Sequence, residues 1–345
     1  MKKGIKFIVI FLGIISGGLL AITYWFATTL LVISLLVLMS QRYLTRKYTG
    51  KKRLSIPLYL VLLGSILGSF TYGIIHYHVP KKVNFISFLT NTTQLLHTLK
   101  QPKLNEKQRS DRLKTALTAI GDQQDVAVSI AVFHNGTVTS YNKALTDHFY
   151  TASIVKVAIA TLLLHNRAQQ GVALSEDEDE LLTDMIENSS NEAATNLLED
   201  YLGGYDSLTA LYQALNMTNT TVNMDAWGLT ETTAADQLKL LHTVFDKNEY
   251  LTPASQQYLQ NLMSNVADDQ IWGIGAGAKQ VFLKNGWLED DNGWILNSMG
   301  KVISDNDSAD NYLMVVLTNG SATQETGEKL IEQLTKETST ILFAD

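Results

Sequence analysis

The distribution of apolar positions changes character near His78. From Ile5 to Met39 the chain is almost continuously apolar, with Lys6 its one charge. As a single helix these ~35 residues would be roughly 52 Å long, far beyond the ~30 Å hydrocarbon core of a bilayer. Two spans at about 5–22 and 25–40 fit better, joined by a tight turn near Thr23, Tyr24 and Trp25, where aromatic rings suit the interface. A third apolar stretch covers 57–77, after a basic loop holding Arg42, Arg46, Lys47, Lys51, Lys52 and Arg53. That loop, with Lys2 and Lys3, is expected to stay in the cytoplasm, so three crossings place everything after His78 outside. A cleaved signal peptide over residues 1–25 is the competing reading. No charged or small-residue cleavage site separates the first span from the second.

Residues 1–78 therefore read as a membrane region, 79–104 as a polar linker, and 105–345 as one globular domain. In the domain, apolar positions Leu113, Ala116, Leu117 and Ile120 recur at helical spacing, which predicts a helix over 105–119. The stretch VAVSIAVFHNGTVTSYN (126–142) is two β-rich runs around Asn135-Gly136, a hairpin signal. Helical patterning dominates from Ser153 to about Phe245. Three strands are then expected at 280–287, 294–304 and 312–320, and a last helix from Glu325 to about Ile341. Two early and three late strands close into one domain only by sharing an antiparallel sheet. The expected fold is α+β, an α/β sandwich: a five-stranded antiparallel sheet flanked by helices, with a mostly helical subdomain and N-terminal transmembrane helices.

Composition narrows the partners. The N-terminal region is basic and the domain acidic, for a net charge of −7, which argues against nucleic acid as a partner and for contact with membrane lipid through the spans. With no cysteine, disulfides and Cys-based metal centres are excluded. The acidic run Glu176 to Glu180 reads as a solvated helix start rather than a metal site. No cofactor and no metal are expected, and His134 and His165 read as structural or exposed.

One residue contradicts its surroundings. The stretch YTASIVKVAIATLLL (150–164) has no polar face, yet it contains Lys156, and no Asp or Glu occurs from His148 to Ser175. Burying an unpaired ammonium is costly. A lysine made neutral by burial can instead serve as a base, and Ser153 lies one helical turn before it. A serine hydroxyl becomes a nucleophile when such a group removes its proton. Two further clusters accompany the pair: Ser189-Ser190-Asn191 within MIENSSNEAATNLL, and Lys284-Asn285-Gly286 within LKNGW. Each feature also has a plain alternative. Ser153 could be a helix cap, Ser189 and Asn191 polar residues at a helix start, and Lys284 a surface lysine at a strand edge.

In order and setting, SIVK, SSN and KNG resemble the three motifs of the penicillin-recognising serine enzymes, above all the class A β-lactamase-like serine hydrolases. The resemblance covers roughly 105–345. It implies that Ser153 is the acylated nucleophile and Lys156 its base, that Ser189 passes a proton to the leaving nitrogen, and that Asn191 binds the substrate's side-chain amide. Lys284 would attract the substrate carboxylate and act as a second cation. Asn285 stands where the family has Thr or Ser, with its amide substituting for the hydroxyl at the substrate. Gly286 would let an inner strand approach the ligand, and the N–H groups of Ser153 and Trp287 would hold an oxyanion.

The pattern also departs from the family. Ser190 replaces the usual loop-holding Asp, and 215–237 lacks the Glu-x-x-x-Asn segment that positions a deacylating water. Asp225 and Glu231 stand at no matching position. The expected function is a membrane-anchored extracytoplasmic serine hydrolase acylated on Ser153 by β-lactams or related amides. A D-Ala-D-Ala peptidase or esterase acting on peptidoglycan peptides, and a penicillin-binding sensor with little turnover, are the alternatives.

Overall fold

The computed structural model describes residues 104–143, 149–304 and 310–343. The expected membrane spans and nearly all of the linker lie outside the described residues. Among the described residues no helix is long and apolar enough to cross a membrane.

Helix α1 is Glu106–Gly121, and Asn105 is its cap rather than its first turn. The Asn105 side chain accepts from the Gln108 N–H while the Gln108 side chain accepts from the Asn105 N–H. Strands β1 (Ala127–His134) and β2 (Thr137–Lys143) form the expected hairpin, and Asn135 and Gly136 both take positive φ, as a two-residue turn of this twist requires. Strands β5 (Gln280–Asp290), β6 (Gly293–Ile303) and β7 (Tyr312–Ser321) complete one antiparallel sheet in the order β2-β1-β7-β6-β5.

Strand β7 is at the centre and is buried on both faces, so its sequence is a continuous apolar run instead of an alternating one. Its residues still divide by face. Leu313, Val315 and Leu317 join one core, while Tyr312, Met314 and Val316 join the other. The second core packs under α1 and the C-terminal helix α8 (Gln324–Leu342). The first and larger core is covered by the intervening helices: α2 (Val155–Gln170), α3 (Glu176–Glu187), α4 (Asn191–Asn196), α5 (Ser207–Ala214), α6 (Ala234–Phe245) and α7 (Pro253–Ser264).

The expected helical stretch thus runs one helix further, through α7, and is interrupted by a second, two-stranded sheet. In that sheet β3 (Phe149–Tyr150) pairs with β4 (Glu231–Thr232). Two residues per strand carry no readable periodicity, which is why the sequence does not announce it. The acidic run does start a helix. Ser175 caps α3, but Glu178 is buried and pairs with Arg167, so this face is only partly solvated.

Candidate active site

Ser153 lies in a 3-10 turn, Ala152–Ile154, immediately before α2. Three elements fix that turn. From the small sheet side, the Thr151 N–H donates to the Thr230 carbonyl at 2.9 Å. From β6, the buried Asn297 amide donates to the carbonyls of Tyr150 at 2.7 Å and Thr151 at 2.9 Å. From β5, Gly286 packs directly on the turn. A Cβ there would lie 2.6 Å from the Ser153 nitrogen and 2.8 Å from that of Ile154, so only glycine permits the approach. Ala152 is held at φ 46°, a left-handed conformation that costs a non-glycine residue energy and aims the next side chain. Ser153 is not the cap of α2: that position is Ile154, and no side chain caps it.

Lys156 is fully buried, and its Nζ is surrounded by oxygen. It lies 2.6 Å from the Ser189 carbonyl, 2.8 Å from Asn191 Oδ1, 3.0 Å from Ser153 Oγ and 3.3 Å from Ser189 Oγ. The two shortest partners are acceptors with no proton to give. A neutral amine satisfies both with its two N–H bonds and turns its lone pair to the Ser153 hydroxyl. Burial pushes the amine down from an ordinary 10.5 to about 7, with Asp184 on α3 opposing in part. This accounts for the lysine inside an apolar helix: the ammonium form is disfavoured there, and apart from Ser153 Oγ the oxygens that surround it come from α4 and the loop before it.

Lys284 is buried as well. Its Nζ donates to Ser189 Oγ at 2.9 Å and to the Asn285 carbonyl at 3.0 Å. Burial first, and then the charge of Lys156, hold it well below the usual lysine range. Ser189 Oγ is thus bridged by both amines, and its backbone also takes a left-handed φ of 58°. Ser153, Lys156, Ser189, Asn191 and Lys284 form one continuous hydrogen-bonded group drawn from separate parts of the chain.

Residues 177–342 match the family model described as the beta-lactamase enzyme family. Over those residues the domain is similar to that family. It is a β-lactamase-like serine hydrolase. Among solved structures the chain is similar to a class A beta-lactamase from Bacteroides cellulosilyticus DSM 14838 (TM-score 0.60, 19% identity, 69% of this chain and 99% of that one). It is similar to a beta-lactamase from Streptosporangium roseum (TM-score 0.57, 18% identity, 68% of this chain and 100% of that one). It is also similar to a mutant of PBP-A in an acyl-enzyme complex with penicillin G (TM-score 0.56, 20% identity, 70% of this chain and 98% of that one). At these identities the likeness concerns the fold. No curated protein sequence matches this chain.

Within this β-lactamase-like domain two expectations need correction. The strand bearing Lys284 and Gly286 is β5, the outermost of the sheet and not an inner one. It can face the serine turn because no further strand covers that side. Asn285 does not face the site. Side chains alternate along a strand, so Lys284 and Gly286 share the serine side while Asn285 and Trp287 point into the opposite layer. The buried Asn285 amide donates to the Gln270 carbonyl at 2.7 Å and the Trp272 carbonyl at 3.2 Å, and its Oδ1 accepts from Ser298 Oγ at 2.6 Å. It is a brace for the loop before β5 rather than a substrate ligand. The Trp287 ring packs edge-on against Trp272, leaving only its backbone N–H to offer the site.

Other polar residues have structural posts. Ser190 caps α4 by accepting from the Ala193 N–H at 3.2 Å. His134 is buried, 2.7 Å from Glu106, and His165 stacks on Tyr250. Asp225 is exposed, and Glu231 lies in β4 opposite Tyr150.

Trp227 was not foreseeable as part of the site. Its ring lies over Lys156, with Nζ 5.1 Å from the ring centroid, and its indole N–H donates to Thr195 Oγ1 at 3.1 Å. The one signal for it is a lone tryptophan, followed by glycine, in a loop of Thr and Asn.

Proposed function

We propose that the chain is a multi-pass membrane protein whose extracytoplasmic domain is acylated on Ser153 by β-lactams or by the D-Ala-D-Ala-type peptides they mimic. The observation that carries this reading is the buried Lys156 amine, 3.0 Å from Ser153 Oγ, fenced by two pure acceptors and pushed down by burial to about 7. The Lys156 lone pair takes the Ser153 proton as Oγ attacks the substrate carbonyl carbon. The N–H groups of Ser153 and Trp287 hold the resulting oxyanion. As the C–N bond breaks, Ser189 Oγ gives its proton to the leaving nitrogen and is re-protonated from the adjoining amines. Asn191 and Lys284 meet the substrate's amide and carboxylate. Water then hydrolyses the ester on Ser153.

The last step is expected to be slow, because the side chain that this loop lays over Lys156 is an indole, which cannot take a proton from water. That observation favours a long-lived acyl-enzyme, and with it a second reading in which the domain reports wall fragments or β-lactams through the spans. The test is labelling of the full chain in detergent with a fluorescent penicillin, followed by mass spectrometry of the adduct. The expected adduct is on Ser153 and is abolished in Ser153→Ala. Sustained turnover of a chromogenic cephalosporin would exclude the sensor, and absence of any adduct would sink the acylation chemistry.

A further inference from the structure

We propose that Trp227 is a fixed lid that keeps the Lys156 amine dry, so that it sets the pH at which Ser153 is activated and holds water off the acylated serine. The catalytic half of this rests on the reading of Ser153 and Lys156 above; the lid itself rests on geometry. The indole is fastened on two sides. Its N–H is bonded to Thr195, four residues after Asn191 and so on the same face of α4. One helix therefore grips the amine at Asn191 and the ring at Thr195. On the other side, the loop that follows is tied to the nucleophile's own turn. The Thr151 N–H and Oγ1 donate to the carbonyls of Thr230 and Gly228, at 2.9 and 3.4 Å. The ring therefore moves with the site and cannot swing as a free side chain.

A ring in this place acts on the amine in two opposed ways. Its face attracts a cation, which favours the ammonium. Its bulk excludes water, which favours the neutral amine. Burial is the leading influence that lowers Lys156, and the ring is part of what covers it, so we take exclusion as the larger of the two effects. The other charged groups that act on the amine are Lys284, across Ser189 Oγ, and Asp184, from α3. Neither is altered by a change at 227. Trp227 is thus a positioning residue for the base, on a loop that offers water no carboxylate beside the amine.

The test reads the amine directly, without any substrate. Competitive acetylation of the full chain in detergent by trace acetic anhydride, quantified peptide by peptide across pH, gives the midpoint of Lys156. Trp227→Ala is expected to raise that midpoint by about one unit, which would lower acylation by a fluorescent penicillin about tenfold at pH 6 and little at pH 9. The same variant is expected to shorten the lifetime of the acyl-enzyme several-fold. Trp227→Phe, which keeps a ring but loses the bond to Thr195, and Thr195→Val, which frees the indole, should both move the midpoint in the same direction but less. An unmoved Lys156 midpoint in both Trp227→Ala and Thr195→Val would overturn the lid. A shifted midpoint in a chain that never forms an adduct on Ser153 would uphold the lid and remove the acylation reading instead.

Discussion

An amine whose proposed role requires it to be uncharged leaves a mark on stability as well as on rate. Lys156 titrates near 7 in the folded chain and near 10.5 when exposed. Between these values the unfolded state holds a proton that the native state lacks, so native stability rises with pH across the window. For this single group the slope approaches about 1.4 kcal/mol per pH unit. Lys156→Met lacks the titration. Chemical denaturation of both proteins at pH 7 and pH 9.5 should therefore find wild type gaining on the variant as pH rises; a constant difference would mean that the amine is charged in the fold. The same residue was the most legible in the sequence, because a lysine in an unbroken apolar helix must either shed its charge or find partners from elsewhere in the chain. Ser153, Ser189, Asn191 and Lys284 were legible through spacing and order. Asn285 was not, because the spacing of a motif does not state which face of its strand each side chain takes. Trp227 was not, because a ring on an irregular loop has no periodicity to betray where it points.

At the scale of elements, the site depends on an edge strand lying against a short turn. Gly286 permits that contact, and Asn297 pulls the chain before the turn onto β6 from a neighbouring strand. Gly286→Ala would set a methyl group against backbone atoms that cannot rotate away, since the nearest are the nitrogens of Ser153 and Ile154 and the Thr151 carbonyl. The turn must shift, and a displacement near 1 Å at a nucleophile costs about a hundredfold in rate. Stopped-flow labelling should show that loss of acylation with the far-ultraviolet circular dichroism unchanged; near-normal labelling would mean that the turn is not held from β5. The five main strands and most helices followed from apolar spacing and turn residues. The small sheet, α7 and the order of strands did not: the first is too short for a pattern, and edge or centre is decided by pairings far apart in sequence.

For the whole molecule, the sheet divides two cores of unequal character, a smaller one under α1 and α8 and a larger helical one that contains Lys156. The expected topology, with three spans before residue 79, puts both outside the cell. The absence of cysteine makes this simple to examine. Asn292→Cys, on the exposed turn between β5 and β6, should react with a membrane-impermeant maleimide in intact cells, and reaction only after permeabilisation would reverse the orientation. The order of strands carries a consequence for biosynthesis. β1 is made early but pairs with β7, so Ala127 waits for Asn319. At ribosomal speeds of ~5–20 residues per second, that delay is roughly 10–40 s. Throughout it the hairpin presents an open edge to chaperones and proteases, and the strands that hold Ser153 in place are incomplete. A message cut short before residue 312 therefore yields no weakened enzyme, only a fragment with an unsealed sheet.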